Sequence, residues 1–359
     1  MIKLLVVDDS ALVRKLLGQA FASEADFELA FARDGLEALG KLASFQPDVI
    51  TLDVHMPQMD GLACLDRIMV ERPCPVVMVS SLTEDGAEAT LEALRLGAVD
   101  FVPKPSGAVS LHMDRLAPEL VAKVRAAAGA RLRSSLRLKE RVRHRIGGAA
   151  PAPKQRASPG PESPVTVASG DGLVLVGVST GGPPALEALL TPLPEDFPWP
   201  ILVAQHMPAT FTGPLARRLD GLCRITVAEV QRPTVLAPGC AYIGRGDADL
   251  IVSRRAGQLV AMSAPARPGY PWHPSADRLV RSAMDELPPG QLIGVLMTGM
   301  GDDGAEAMAL LHAQGGRTIA EAEETAVVWG MPGELVKAGG ADWVLPLPRI
   351  AERLRALTP

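Results

Sequence analysis

Eight side chains in this 359-residue chain have types that do chemistry, and all follow short apolar runs. Asp8 and Asp9 follow KLLVV, Asp53 ends VITLD, Ser80 ends VVMVS and Lys104 follows DFVP. Farther along, Ser179 follows GLVLVGV, His206 follows ILVAQ, and Asp303 lies in TGMGDDG after LIGVLM. Three carboxylates crowded together repel unless a hard cation neutralises them, and oxygen ligands that leave room for water suit Mg²⁺. A carboxylate beside such an ion can attack a phosphoryl donor, while Lys104 and the Ser80 hydroxyl hold the transferred oxygens. Hydroxyl, imidazole and carboxylate are the parts of a serine hydrolase: a nucleophile, a base of pKa near the working pH and an orienting acid.

Each residue alone has a plainer reading. An Asp or Ser after a strand commonly caps a helix, and a lone His is commonly structural. The GVSTGG turn also has the glycines of a phosphate-cradling loop, but neither G-x-G-x-x-G nor G-x-x-x-x-G-K-[ST] occurs there. GVSTG fits G-x-S-x-G, yet the order Ser, His, Asp differs from the Ser, acid, His of α/β-hydrolases. His273 and His312 rival His206, and Asp302 rivals Asp303; spacing does not separate them.

The positioning elements are legible from periodicity. Runs at 3–9, 26–32, 48–54, 75–81 and 99–105 alternate with helical stretches whose apolar residues recur at i, i+3 and i+4. Five βα units within about 120 residues predict a flavodoxin-like doubly wound (βα)5 domain, whose ligands bind at the carboxyl ends of the strands. Runs at 172–178, 200–205, 239–244, 292–299, 317–320 and 341–347, with a hairpin over 250–263 turning at Ala256 and Gly257, predict a second doubly wound parallel-sheet α/β domain. In the second domain, Gly181 and Gly182 permit a tight turn and Pro183-Pro184 starts a helix, whose unpaired N–H groups could stabilise an oxyanion.

Charge marks the join. The balance is −9 over residues 1–122, +10 over 123–156 and −6 beyond, within a net −5. The basic run RLRSSLRLKERVRHRIGG and the Pro/Ala/Ser-rich segment after it read as a tether or as a dock for an acidic partner. The expected division is therefore a first domain at 1–122, a linker at 123–170 and a second domain at 171–357. An acidic total argues against nucleic-acid binding. Four cysteines without a C-x-x-C pair read as reduced buried thiols. No apolar run approaches the roughly 20 residues of a membrane span, and the N-terminus lacks a secretory pattern, so a cytoplasmic protein is expected.

DDS at 8–10, LDVHMPQMDG at 52–61, VSS at 79–81 and VPKP at 102–105 together resemble the response-regulator receiver family. The resemblance implies that Asp53 is the phosphoacceptor and that Asp8, Asp9, Asp53 and the His55 backbone carbonyl hold Mg²⁺. It further implies that Ser80 and Lys104 read the phosphoryl group and that Phe101 occupies the aromatic switch position. A cis bond is expected at Lys104-Pro105.

GVSTGG, AQHMP, LAPGCAYIG, HPSADRLV, GVLMTGMGDDGAEAM and VVWGMP resemble the catalytic domain of the CheB family of chemotaxis methylesterases. That resemblance implies Ser179 as nucleophile, His206 as base, Asp303 as orienting acid, and Thr180 and Met300 lining the site. Asp302 stands where the family commonly has Asn. The implied activity removes methyl groups, as methanol, from glutamyl esters of methyl-accepting chemotaxis receptors and deamidates their glutamines, with no cofactor for the ester chemistry. A chemotaxis histidine kinase would be the phosphodonor, and phosphorylation of Asp53 would relieve inhibition by the receiver. The chain would work at membrane-bound receptor arrays without inserting. Transcription control and a catalytically silent receptor-docking module are the competing outputs.

Overall fold

The computed structural model describes all residues except 82, 105–109, 131, 133–171 and 359. The basic run and the Pro-rich segment thus lie mostly outside the described residues, as does Pro105 of the expected cis bond.

The first domain has strands β1 (Ile2–Val7), β2 (Phe27–Ala32), β3 (Val49–Asp53), β4 (Val76–Ser80) and β5 (Asp100–Pro103). Between and after them run α1 (Ala11–Ala22), α2 (Gly35–Ser44), α3 (Gly61–Glu71), α4 (Glu84–Leu96) and α5 (Ser110–Ala128). The first four helices start where a short polar side chain accepts an orphan N–H, at Ser10, Asp34, Asp60 and Thr83. The sheet order β2-β1-β3-β4-β5, parallel throughout, is the flavodoxin-like winding. It sets β1 beside β3, which brings Asp8 and Asp9 next to Asp53. α5 continues past residue 122 to Ala128 and buries Val124 and Ala127. The helix runs on into the net-positive block of 123–156 because its apolar face still has the sheet to cover.

The second domain contains β6 (Leu173–Val178), β7 (Ile201–Gln205), β8 (Thr226–Glu229), β9 (Thr234–Val235), β10 (Cys240–Ile243), β11 (Ala248–Arg255), β12 (Gln258–Pro265), β13 (Leu292–Leu296), β14 (Arg317–Glu321) and β15 (Trp343–Leu345). Its helices are α6 (Gly182–Leu190), α7 (Ala209–Leu222), α8 (Ala276–Met284), α9 (Ala305–Ala313), α10 (Met331–Lys337) and α11 (Leu347–Leu357). Seven strands form a parallel sheet in the order β15-β14-β13-β6-β7-β10-β8. β6, β7 and β13 are buried at every position, as strands covered by helices on both faces must be. β11 and β12 make the expected hairpin, with Arg255 opposite Gln258, and β9 joins it. β8 was not foreseen: it is a four-residue edge strand with only Val227 buried, too short and too polar to stand out.

The chain winds one way from β6 through β7 and the other way from β13 through β14. The crevice beyond their carboxyl ends is where such sheets bind ligands. Among the described residues, no helix is long and apolar enough to cross a membrane.

Candidate active site

Ser179 leaves β6 and turns directly into α6. Its N–H donates to Thr298 O at 3.0 Å, and its carbonyl accepts from Gly182 N at 2.8 Å and Gln205 Nε2 at 3.1 Å. Gly181 sits at φ +77°, a conformation that favours glycine, and makes the turn. Gly299 is needed for a different reason: a Cβ there would stand 2.8 Å from the Ser179 Cβ. Ser179 is thus gripped by its backbone and is 7% exposed.

His206 leaves the neighbouring strand. Its N–H donates to Val178 O at 3.1 Å, which sets its backbone beside the residue before Ser179. Gln205 Nε2 donates to the carbonyls of both Ser179 and His206, each at 3.1 Å, and so fixes the two turns to one another. His206 Nε2 lies 2.8 Å from Asp303 Oδ2. The other ring nitrogen, Nδ1, is buried and has no hydrogen-bond partner among the described residues. The Trp272 ring stacks on the imidazole, with centroids 5.5 Å apart and planes 10° from parallel.

Asp303 comes from the loop between β13 and α9. Its Oδ1 accepts from Ser275 Oγ at 2.8 Å and Asp277 N at 3.1 Å, and its Oδ2 from Ala276 N at 2.6 Å besides His206. Burial alone would raise its pKa, but His206 and the Ala276 and Asp277 N–H groups outweigh it and hold the carboxyl below the usual range. Asp302, its rival, is exposed. The rival histidines are elsewhere: His273 Nδ1 pairs with Asp249 Oδ1 at 2.8 Å, and His312 Nδ1 lies 3.3 Å from Asp342 Oδ2. Thr180 is adjacent to Ser179 and buried, and Met300 is half-buried in the loop that carries Asp303. Gln205, Trp272 and Ser275 were not singled out from the sequence. Ser275 carried one signal, a cap position opening the amphipathic run ADRLVRSAM.

At the carboxyl end of the first sheet, one ligand atom from each of Asp8, Asp9 and Asp53 lies within 4.8 Å of the others. Lys104 Nζ donates to Asp53 Oδ2 at 2.6 Å and approaches Asp8 Oδ2 at 3.1 Å, and His55 N donates to Asp53 Oδ1 at 3.2 Å. Burial pushes the Asp8 and Asp53 carboxyls above the usual range, which Lys104 only partly offsets. Asp8 Oδ2 is buried with Lys104 as its cationic neighbour, and the donor set is all oxygen. These residues fit a hard divalent cation such as Mg²⁺. The His55 side chain is exposed and leaves the cluster to its backbone. The Ser80 hydroxyl donates to Gly86 O at 3.1 Å, toward α4.

Phe101 points inward and meets the second domain, its ring 4.3 Å from that of Phe211 on α7. One residue earlier, Asp100 Oδ2 accepts from Thr180 Oγ1 at 2.5 Å. Arg218 on α7 reaches Glu92 on α4 at 3.5 Å. The two domains share one continuous cluster of buried apolar side chains.

Residues 174–354 match the CheB methylesterase family, and residues 4–114 match the response regulator receiver domain. The chain is 59% identical over 353 residues to protein-glutamate methylesterase/protein-glutamine glutaminase 2 of Rhodopseudomonas palustris, covering 98% of this chain and 96% of that one. It is 55% identical over 359 residues to protein-glutamate methylesterase/protein-glutamine glutaminase 3 of Rhodospirillum rubrum, covering 99% and 96%. The crystal structure of the Thermotoga maritima CheB methylesterase catalytic domain matches with a TM-score of 0.50 at 37% identity, covering 52% of this chain and 98% of that one. With both domains matched and near-full-length likeness to these relatives, the chain belongs to the CheB methylesterase family, its catalytic domain preceded by a response regulator receiver domain.

Proposed function

We propose that the protein is a phosphorylation-regulated protein-glutamate methylesterase and protein-glutamine glutaminase acting on chemotaxis receptors. The observation that carries the hydrolase reading is the imidazole of His206. One ring nitrogen is bound to Asp303 at 2.8 Å, and the other is buried, without a hydrogen-bond partner among the described residues, on the strand end next to Ser179. Ser179 Oγ attacks the glutamyl γ-carbonyl as its proton passes to His206 Nδ1, and N–H groups at the turn into α6 would stabilise the developing oxyanion. The bond between the γ-carbonyl carbon and the methoxy oxygen breaks, and methanol leaves with the proton from His206; for glutamine the bond between that carbon and the amide nitrogen breaks and ammonia leaves. Water then attacks the acyl-enzyme, gives a proton to His206 and releases the glutamate as Ser179 is re-protonated. Asp303 stays ionised throughout and stabilises the imidazolium. Methanol release from methylated receptor tests this: Ser179→Ala is expected to abolish turnover, and full activity in that variant overturns the assignment.

Regulation rests on the receiver. When bound, a divalent cation held by Asp8, Asp9, Asp53 and the His55 carbonyl supplies charge neutralisation for phosphoryl transfer. Asp53 accepts the phosphoryl group from a chemotaxis histidine kinase, and Lys104, now paired to it at 2.6 Å, holds the transferred oxygens. The Ser80 hydroxyl leaves Gly86 to join them, and Phe101 changes its packing as it does so. In the unphosphorylated form the receiver sits on the residue beside the nucleophile, through Asp100 and Thr180. This placement supports inhibition relieved by phosphorylation. The setting is the cytoplasm, at membrane-bound receptor arrays.

A further inference from the structure

Ser275 stands between two buried carboxylates. Its backbone N–H donates to Asp249 Oδ1 at 2.9 Å, and its hydroxyl donates to Asp303 Oδ1 at 2.8 Å. The same oxygen accepts from Arg278 N at 3.2 Å, capping α8. Asp249, on β11, is wholly buried and also binds His273 Nδ1 at 2.8 Å and the Arg278 guanidinium. The segment from Trp272 to Asp277 is therefore pinned from behind by Asp249. From the front it holds both partners of the proton relay: Trp272 covers the imidazole, while Ser275, Ala276 and Asp277 bind the carboxylate.

A carboxylate turns easily about its last side-chain torsion, whose preferences are broad and two-fold. His206 and Ala276 N hold Asp303 Oδ2, and rotation of the carboxylate is opposed as well at Oδ1. There, Ser275 Oγ at 2.8 Å is the shorter of two contacts; the other is Asp277 N at 3.1 Å. We propose that Ser275 is a positioning residue for the hydrolysis, its hydroxyl holding the Asp303 carboxylate in the rotation that keeps Oδ2 on His206 Nε2. The proposal rests on reading Ser179, His206 and Asp303 as the reacting unit.

The test uses the full chain, activated with Mg²⁺ and acetyl phosphate, and follows methanol release from methylated receptor. Ser275→Ala is expected to lower kcat about ten- to a hundredfold, the scale of a lost hydrogen bond to a charged group, with KM within about twofold. Ser275→Thr keeps the hydroxyl and recovers most of the rate. Ser275→Gly separates the two roles of the side chain, because glycine costs a helix N-cap little but donates nothing: its kcat falls as in Ser275→Ala while its thermal stability stays close to wild type. If the Ala and Gly variants turn over at the wild-type kcat while Ser179→Ala is inactive, the hydroxyl only caps the helix and this inference falls alone. If Ser179→Ala remains active, the reading beneath it falls first.

Discussion

Thr180 Oγ1 donates to Asp100 Oδ2 at 2.5 Å, so the residue after Ser179 is hydrogen-bonded to the residue before Phe101 in the other domain. The groups are 1% and 6% exposed, and a charge-assisted bond out of water is stronger than an ordinary one. Phe101 is itself packed on Phe211. A change at the Asp53 end of the receiver sheet that moves β5 therefore disturbs both contacts at once.

Weakening that bond without phosphorylation should mimic part of the activation. Asp100→Asn keeps the shape and removes the charge, at a cost to the docked form of about 1–2 kcal/mol. Basal methanol release by the unphosphorylated full chain is expected to rise several-fold. An unchanged or lower basal rate in a folded variant means that the bond does not restrain the enzyme.

Activation should depend on the carboxylate cluster and leave basal chemistry alone. Asp53→Asn, or removal of divalent cations with EDTA, is expected to abolish the rate increase caused by acetyl phosphate without lowering the unstimulated rate. Stimulation that survives in Asp53→Asn would place the phosphoacceptor elsewhere.

Gly299 should tolerate no side chain. A Cβ at this position would lie 2.8 Å from Ser179 Cβ and closer still to the Met331 sulfur. Gly299→Ala is expected to cost about 1–3 kcal/mol of stability, as overpacked cores do, and to lower kcat more than tenfold by displacing Ser179. Urea unfolding and methanol release measure the two effects, and wild-type values in both would show that the turn has room to spare.

Asp303 sets an acid-side signature. Its folded pKa lies below the unfolded value of about 3.9, so ionised Asp303 contributes stability that is fully present above that value and is lost as the pH falls through the folded pKa. The stability difference between wild type and Asp303→Asn is expected to be flat from pH 8 to about pH 5 and to shrink below about pH 4. A difference that already declines near pH 6 would mean that the carboxyl is not held down by His206 and the start of α8.

Apolar periodicity and turn chemistry made the order of strands and helices legible. In a parallel sheet, the residue after a strand faces the binding crevice whatever lies around it. Asp8, Asp53, Ser179 and His206 were therefore readable as a group, and so was the hairpin turning at Ala256 and Gly257. β8 escaped because an edge strand with one buried side chain has almost no hydrophobic signature. Charge alone does not mark the end of α5, because the charge changes sign before the apolar face of that helix runs out.

The sequence by itself determined the chemical inventory and the strand ends that carry it, since both follow from local pattern. The family resemblance already favoured Asp303 over Asp302; the tertiary structure adds the physical difference, because adjacent residues differ not in spacing but in which of them is buried against His206 and α8. It alone supplied Gln205, Trp272 and Ser275 around the site and the bond from Asp100 to Thr180, contacts between residues up to 97 positions apart in the His206–Asp303 pair and 80 in the Asp100–Thr180 pair. Hydrogen bonds and packing are satisfied by proximity in space, and the docking of one domain on another leaves no periodic trace in either chain segment.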